Sequence, residues 1–294
     1  MRNRRTERLE GQRIAAVAGS VGDDLELAFA WIGRVLGRAR AGGVGLVVFP
    51  ECALGGYPDE LTPGGPVAAP VTVAADGPEL QRLCAMAGPT TVCIGFSEEA
   101  PGGPYNSAAC LNGAGVLSIH RKVHLPPSEI GAYSPGQRFQ AFDTPVGRLG
   151  MLICYDKIFG ESASRLARDG AQVIACMSAW PVSRRNPARV VARDLQVRQF
   201  DLLDRARAME NQVVWVSANH TGRRGGLRFF GRAKVVDPNG RVLARTSGRA
   251  GMATARVDVA SAIAASRGPI SHLRDRRDDA YGSAINIDAL AATV

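Results

Sequence analysis

Three residues of the 294-residue chain stand at the ends of apolar runs, where a polar side chain can do chemistry. They are Glu51 in "FPEC", Lys122 in "HRKVHLP" and Cys154 in "GMLICYDKIFGE". The thiolate, not the thiol, is the nucleophile, so a reactive Cys154 needs a cation beside it to lower its pKa, and Lys122 would supply one. Acyl transfer also needs a group that takes the thiol proton and returns it to the leaving nitrogen, and Glu51 can do both. Singly, each has a plainer reading: a turn carboxylate, a surface charge, an inert core thiol. Together they describe acyl transfer to a cysteine.

The elements that must position them alternate between strand and helix, which predicts an α/β fold. "RIAAVA" (13–18) reads as a strand, 24–41 as an amphipathic helix, and "GVGLVVFPE" (43–51) as a buried strand ending in a carboxylate. "TTVCIGF" (90–96) is a further strand, and 107–125 form a hairpin turning at "NGAG". "GRLGMLICYD" and "AQVIACMSAW" read as buried strands separated by a helix that starts near Glu161. Asn186 and Pro187 read as the cap and first turn of a long helix. Its inward stripe would be Val191, Leu195, Leu202, Ala206 and Met209. "VVWVSAN" (213–219) and a hairpin around "DPNG" (237–240) follow. Nothing in the composition divides the chain, which predicts a basic leader over 1–12 and one domain over 13–294. Gly/Pro-rich "TPGGPVAAP" (62–70) reads as a loop within it.

Composition narrows the class. A hydrophobic fraction of 46% with 21% charged residues fits a soluble globular protein, and no apolar run is long enough to span a membrane. The charged start "MRNRRTERLEGQR" is not a secretory signal. Six cysteines without CxxC pairing point to reduced thiols and a cytoplasmic location rather than a disulfide frame or a zinc site. The net charge of +9 is concentrated at 1–13 and 184–207 without interleaved aromatics, so no nucleic-acid partner is expected.

The ordered motifs resemble the nitrilase superfamily of carbon–nitrogen hydrolases. "FPE" (49–51), "RKVHL" (121–125) and "CYD" (154–156) carry the resemblance. "GGYP" (55–58), "YNSA" (105–108), "SPG" (134–136), "RAMENQ" (207–212) and the terminal "LRDRRDDAYG" (273–282) extend it over nearly everything from Arg13 onward. The resemblance implies a four-layer α-β-β-α sandwich and a homodimer or higher homo-oligomer. We expected the helix after "CYDKIFGE" to pack against a second copy through Ala163, Leu166 and Ala167. The resemblance also implies a second glutamate, Glu129, holding Lys122 and orienting water, and an oxyanion received by the Tyr155 N–H and the Lys122 ammonium. No metal or organic cofactor is implied. The chain departs from the family pattern at Gly160, where Pro is more frequent, at Met177 and at His120.

The reaction implied is hydrolysis of a non-peptide C–N bond in a small linear amide or N-carbamoyl amine through a Cys154 thioester, with release of ammonia. Tyr155 and Asp156 after the cysteine favour this over the alternative, nitrile hydrolysis. A non-catalytic binding module on the same fold is the remote alternative. For the substrate, Tyr57, Trp180, Arg184 and Arg185 are the candidate contacts, an arginine meeting a carboxylate if the substrate has one. "DELTPG" (59–64) is a candidate cover for the site.

Overall fold

Where the strands end decides where chemistry can sit. The computed structural model describes residues 11–58 and 70–280. The expectations for the leader, for "DELTPG" and for the 62–69 loop lie outside them. β1 (Gln12–Ala18), β2 (Val44–Val48) and β4 (Thr91–Glu99) run parallel, with β3 (Thr72–Ala74) beside β4. β5 (Tyr105–Asn112) and β6 (Gly115–Arg121) then add antiparallel. β7 (Phe142–Thr144), β8 (Gly147–Ile153), β9 (Val173–Ser178) and β10 (Val214–Asn219) form a second run in which β8, β9 and β10 are parallel. β1 meets β10 at one register pair, Ala18 with Asn219, so the continuous sheet folds into two halves there. A small ribbon, β11 (Thr221–Arg224) with β12 (Leu227–Phe230), stands apart. β13 (Lys234–Val236), β14 (Val242–Arg245) and β15 (Gly251–Val257) close the order, with β13 on β10 and β15 on β1.

Alternate side chains explain the layers. Ile14, Ala16, Val48, Met151, Ala175 and Val216 point between the halves into a shared core. Ala15, Val17, Val47 and Ile94 point the other way, under α1 (Leu25–Ala41) and α2 (Pro78–Ala87). Leu152, Ile174, Cys176 and Trp215 face α3 (Gly160–Arg168) and α4 (Leu195–Asn211). The result is the α-β-β-α sandwich. A final short helix, α5 (Val259–Ser266), follows β15. No helix among the described residues is long and apolar enough to cross a membrane.

The helix starts follow from caps. Asp24 accepts from the Leu27 N–H at 3.0 Å and opens α1 as expected. The long helix does not open at Asn186-Pro187. Asp194 is its cap, because one buried carboxylate accepts from the Gln196, Ser183 and Ala188 N–H groups at 3.0 Å each and so fixes both the helix start and the loop before it. Its inward stripe is also different. Val197, Phe200, Asp204, Ala208 and Asn211 are buried, whereas Leu195, Leu202 and Met209 are 60%, 67% and 50% exposed. Ala163, Leu166 and Ala167 of α3, expected to meet a second copy, are buried against their own sheet instead.

Candidate active site

Glu51, Cys154, Trp180 and His220 all follow parallel strands at their carboxyl ends, the place where open α/β sheets leave a crevice. Two of these ends turn sharply. Cys52, after Glu51, has φ +44°, and Cys154 has φ +45°, a left-handed conformation that costs a non-glycine residue about 1–3 kcal/mol and persists only where the surroundings impose it. Glycines make room for these turns. A Cβ on Gly95 of β4 would lie 2.4 Å from the Cys52 nitrogen, and one on Gly136 of "SPG" 2.1 Å from the Arg121 carbonyl oxygen, just before Lys122.

Three buried charges meet here. The Lys122 ammonium donates to Glu51 Oε1 and to Glu129 Oε1, each at 2.6 Å, and all three side chains are essentially solvent-free. Asn106 Nδ2 donates to both carboxylates, at 2.7 Å and 3.2 Å. The Tyr57 hydroxyl donates to Glu129 at 2.8 Å, and the Ala179 N–H to Glu51 Oε2 at 2.6 Å. Burial alone would push Lys122 down, but Glu129 and Glu51 outweigh it and hold the ammonium well above its ordinary pKa. Burial pushes Glu129 up, aided by Glu51 and opposed by Lys122.

Of the six cysteines, five are buried and Cys154 alone is partly open. It lines a cavity of about 330 Å³ together with Tyr57, Glu129, Tyr155, Trp180 and Arg184. Burial and then the Glu51 charge push its thiol well above the ordinary value, against the opposite pull of Lys122 and Lys157. Lys122 thus pulls in the expected direction, but burial and Glu51 outweigh it. The Lys122 charge is itself shared between two carboxylates.

The comparisons identify the fold and the family. The model of the family described as "Carbon-nitrogen hydrolase" matches residues 13–267. This chain belongs to the carbon–nitrogen hydrolases. It is 34% identical over 240 residues to an (R)-stereoselective amidase of Pseudomonas sp., covering 81% of each chain. It is 30% identical over 243 residues to a probable nitrilase of Schizosaccharomyces pombe, covering 80% of this chain and 84% of that one. An amidase from Nesterenkonia sp. superposes with a TM-score of 0.74 at 24% identity, over 92% of this chain and 95% of that one. As a carbon–nitrogen hydrolase the chain acts on C–N bonds other than peptide bonds.

Around this cavity the expected residues divide. Glu129, Cys154, Tyr155, Tyr57, Trp180 and Arg184 share the cavity wall, with Glu51 and Lys122 directly behind it. Arg185 does not join them: the loop held by Asp194 brings Arg184 to the rim and leaves Arg185 exposed outside the wall. Tyr57 holds Glu129 through its hydroxyl and offers the cavity only its ring. Sequence reasoning missed Asn106, although "YNSA" contained it, and three supports. Asn219 binds both the N–H and the C=O of Trp180, and His220 Nε2 lies 2.6 Å from the Glu51 carbonyl oxygen. Burial lowers the His220 pKa, so a neutral ring donates there and accepts at Nδ1 from Ser20, 3.0 Å away.

The third support is Asp156, which is wholly buried. It accepts from the Ile153 and His124 N–H groups at 3.1 Å and 2.9 Å and pairs with His124 and His120 at 3.0 Å and 3.3 Å. Burial opposes its charge, but the His120 and His124 hydrogen bonds outweigh that and lower its pKa from 3.8 to about 2. The corresponding stability, about 2 kcal/mol, is present in full above pH 4 and is lost as the pH falls through about 2. Asp156→Asn places an NH₂ against these donors and is expected to lower stability by about 2–3 kcal/mol, read from urea unfolding at pH 7. A change below 0.5 kcal/mol would show that the turn does not depend on the carboxylate.

Proposed function

We propose that this carbon–nitrogen hydrolase is an amidase of small linear amides or N-carbamoyl amines, with Glu51, Lys122 and Cys154 as its catalytic triad and Glu129 supporting it. The observation that carries the reading is the Lys122 ammonium clasped at 2.6 Å by two buried carboxylates beside the one partly open thiol. Glu51 takes the Cys154 proton as Sγ attacks the carbonyl carbon. The oxyanion forms against the Tyr155 N–H and the Lys122 ammonium, donors that typically contribute about 3 kcal/mol each. Glu51 passes its proton to the nitrogen, the C–N bond breaks, and ammonia or an amine leaves a thioester. Water that gives its proton to Glu51 then attacks the thioester, restoring the thiol and releasing the acid. Glu129 keeps Lys122 charged throughout. Trp180 and Tyr57 shape the acyl pocket, and Arg184 at its rim would meet a substrate carboxylate. The amidase name of the 34% identical Pseudomonas relative supports this reading, and the free state of all six thiols suits a cytoplasmic location.

A nitrilase reading is favoured by the name of the Schizosaccharomyces pombe relative. Both reactions begin with Cys154, so the triad does not separate them. The aromatic and acid after Cys154 favour the amide, and because Asp156 is buried away from the cavity its influence runs through the turn. A primary amide or N-carbamoyl amine is expected to be hydrolysed at least about tenfold faster in kcat/KM than the nitrile of the same skeleton. That ratio is about 1.4 kcal/mol of differential transition-state binding. Matched pairs assayed for ammonia release test it, and a nitrile outpacing its amide would reverse the assignment.

The reading includes a homo-oligomer. With α3 occupied by its own sheet, a face available for a second copy is the exposed stripe Leu195, Leu202 and Met209 on α4, at seven-residue spacing. Light scattering at micromolar concentration is expected to give at least twice the 31.1 kDa chain mass. A single 31 kDa species would remove this part of the reading.

A further inference from the structure

Behind the aromatic wall of the cavity lies a second set of buried charges that the mechanism above leaves unused. Lys157 Nζ is 2.9 Å from Asp204 Oδ1 on α4, and Lys234 Nζ from β13 bonds the other carboxylate oxygen. Trp215 Nε1 also donates to Asp204, at 3.0 Å. Lys157, Asp204 and Lys234 are at most 1% exposed. The two ammonium groups sit 3.4 Å and 3.9 Å from the centre of the Phe200 ring. Lys234 reaches Asp201 at 3.2 Å, and Asp201 in turn pairs with Arg232 at the surface.

Stability is a poor reason for such a cluster. Taking charges out of water is costly, and well-packed apolar residues in place of a buried ion pair are often neutral or stabilising. Its position suggests a different reason. Residues 154–158 form a single 3₁₀ turn, so Lys157 and Cys154 belong to the same short element. Cys154 packs against the Trp180–Phe200 cluster over which the Lys157 ammonium lies. The charge balance also differs between the two sites. One ammonium faces two buried carboxylates around Lys122, whereas around Lys157 two ammonium groups share buried Asp204, with the partly exposed Asp201 also on Lys234.

We propose that Lys157 is a positioning residue for Cys154: anchored by Asp204 and Phe200, it adds a second positive field at the sulfur to that of Lys122, which two carboxylates compensate. The proposal rests on the reading of Cys154 as nucleophile. The charged and titratable groups facing Cys154 are Glu51, Lys122, Glu129, Tyr57 and Lys157. Those facing Lys157 are Asp204, Lys234 and the Cys176 thiol. Lys122 and Lys157 are the two groups among them that pull the Cys154 pKa down. The same Lys157–Asp204 bond ties the nucleophile's turn to the helix that carries Gln196 and Gln199 of the cavity wall.

The test is the pH profile of Cys154 modification by methyl methanethiosulfonate in the full chain, followed by loss of amide hydrolysis and by peptide mass. Lys157→Met is expected to move the midpoint upward by about one pH unit, slowing modification about tenfold below the midpoint. Lys157→Arg keeps the cation and is expected to stay within about twofold of the wild-type rate. Lys234→Met removes the other ammonium while leaving Lys157 in place, and is expected to leave the midpoint where it is. If Lys157→Met does not fold, the double variant Lys157→Met with Asp204→Asn removes the pair together and carries the same expected shift. An unmoved midpoint, or an equal shift in Lys234→Met, overturns the proposal. Modification of Cys154 that leaves wild-type hydrolysis intact would instead overturn the nucleophile reading beneath it.

Discussion

Cys154→Ala is expected to fold like the wild type and to lose at least about a thousandfold in kcat/KM for the best amide, upward of 4 kcal/mol of transition-state stabilisation. The substitution removes one sulfur from a residue already open to a cavity, so the core loses little. Cys154→Ser should be nearly as inactive. A hydroxyl in the same surroundings is far harder to deprotonate than the thiol, whose own pKa is already raised by burial and by Glu51. Glu51→Gln is expected to match Cys154→Ala in activity, with a structural penalty of its own. Glu51 accepts from Lys122 and Asn106 on one oxygen and from the Ala179 N–H on the other, so a carboxamide must turn an NH₂ toward one of these donors. Far-ultraviolet circular dichroism with steady-state ammonia release separates the two effects. Wild-type turnover in Cys154→Ala would exclude the thioester route.

Lys122→Met is expected to fail more broadly, losing both activity and about 3–5 kcal/mol of stability. Among the described residues the ammonium is the only cation bonded to either buried carboxylate, and its loss leaves Glu51 and Glu129 facing each other across Asn106 with like charge. Their mutual repulsion disfavours the doubly ionised pair, and burial already pushes the Glu129 pKa up. Stability of the variant should therefore improve as the pH is lowered from 8 to 5, opposite to the behaviour expected of Asp156. Urea unfolding at several pH values reads this directly. A variant as stable as wild type at pH 8 would mean that the carboxylates find other partners.

The strand-end residues were legible because each breaks an apolar run: "LVVFPE" and "GMLICYD" stop at the residue that matters. The resemblance supplied Glu129, which no periodicity marks. The supports were hidden for physical reasons. His220 meets the Glu51 carbonyl across 169 residues of chain, and Asn106 is one polar residue inside a strand whose neighbours are buried. α4 misled because its buried face includes Asp204 and Asn211, while Leu195, Leu202 and Met209 face outward. A stripe counted from apolar residues alone runs down the wrong side of such a helix. The start of α4 misled for a related reason. Asn186-Pro187 has the form of a cap, but Asp194 satisfies more N–H groups from one position.

The single register pair between Ala18 and Asn219 divides the sheet so that Glu51, Asn106, Lys122 and Glu129 belong to one half and Cys154, Asp156 and Trp180 to the other. Only non-local bonds join them, from Ala179 and His220 to Glu51 and from Asp156 to His120 and His124. On the proposed roles, a chain with one half formed would have either the acid–base groups without the nucleophile or the nucleophile without them. During refolding, turnover should return with the last docking event rather than with secondary structure. On the proposed roles, the site is complete only when both halves of the sheet have docked.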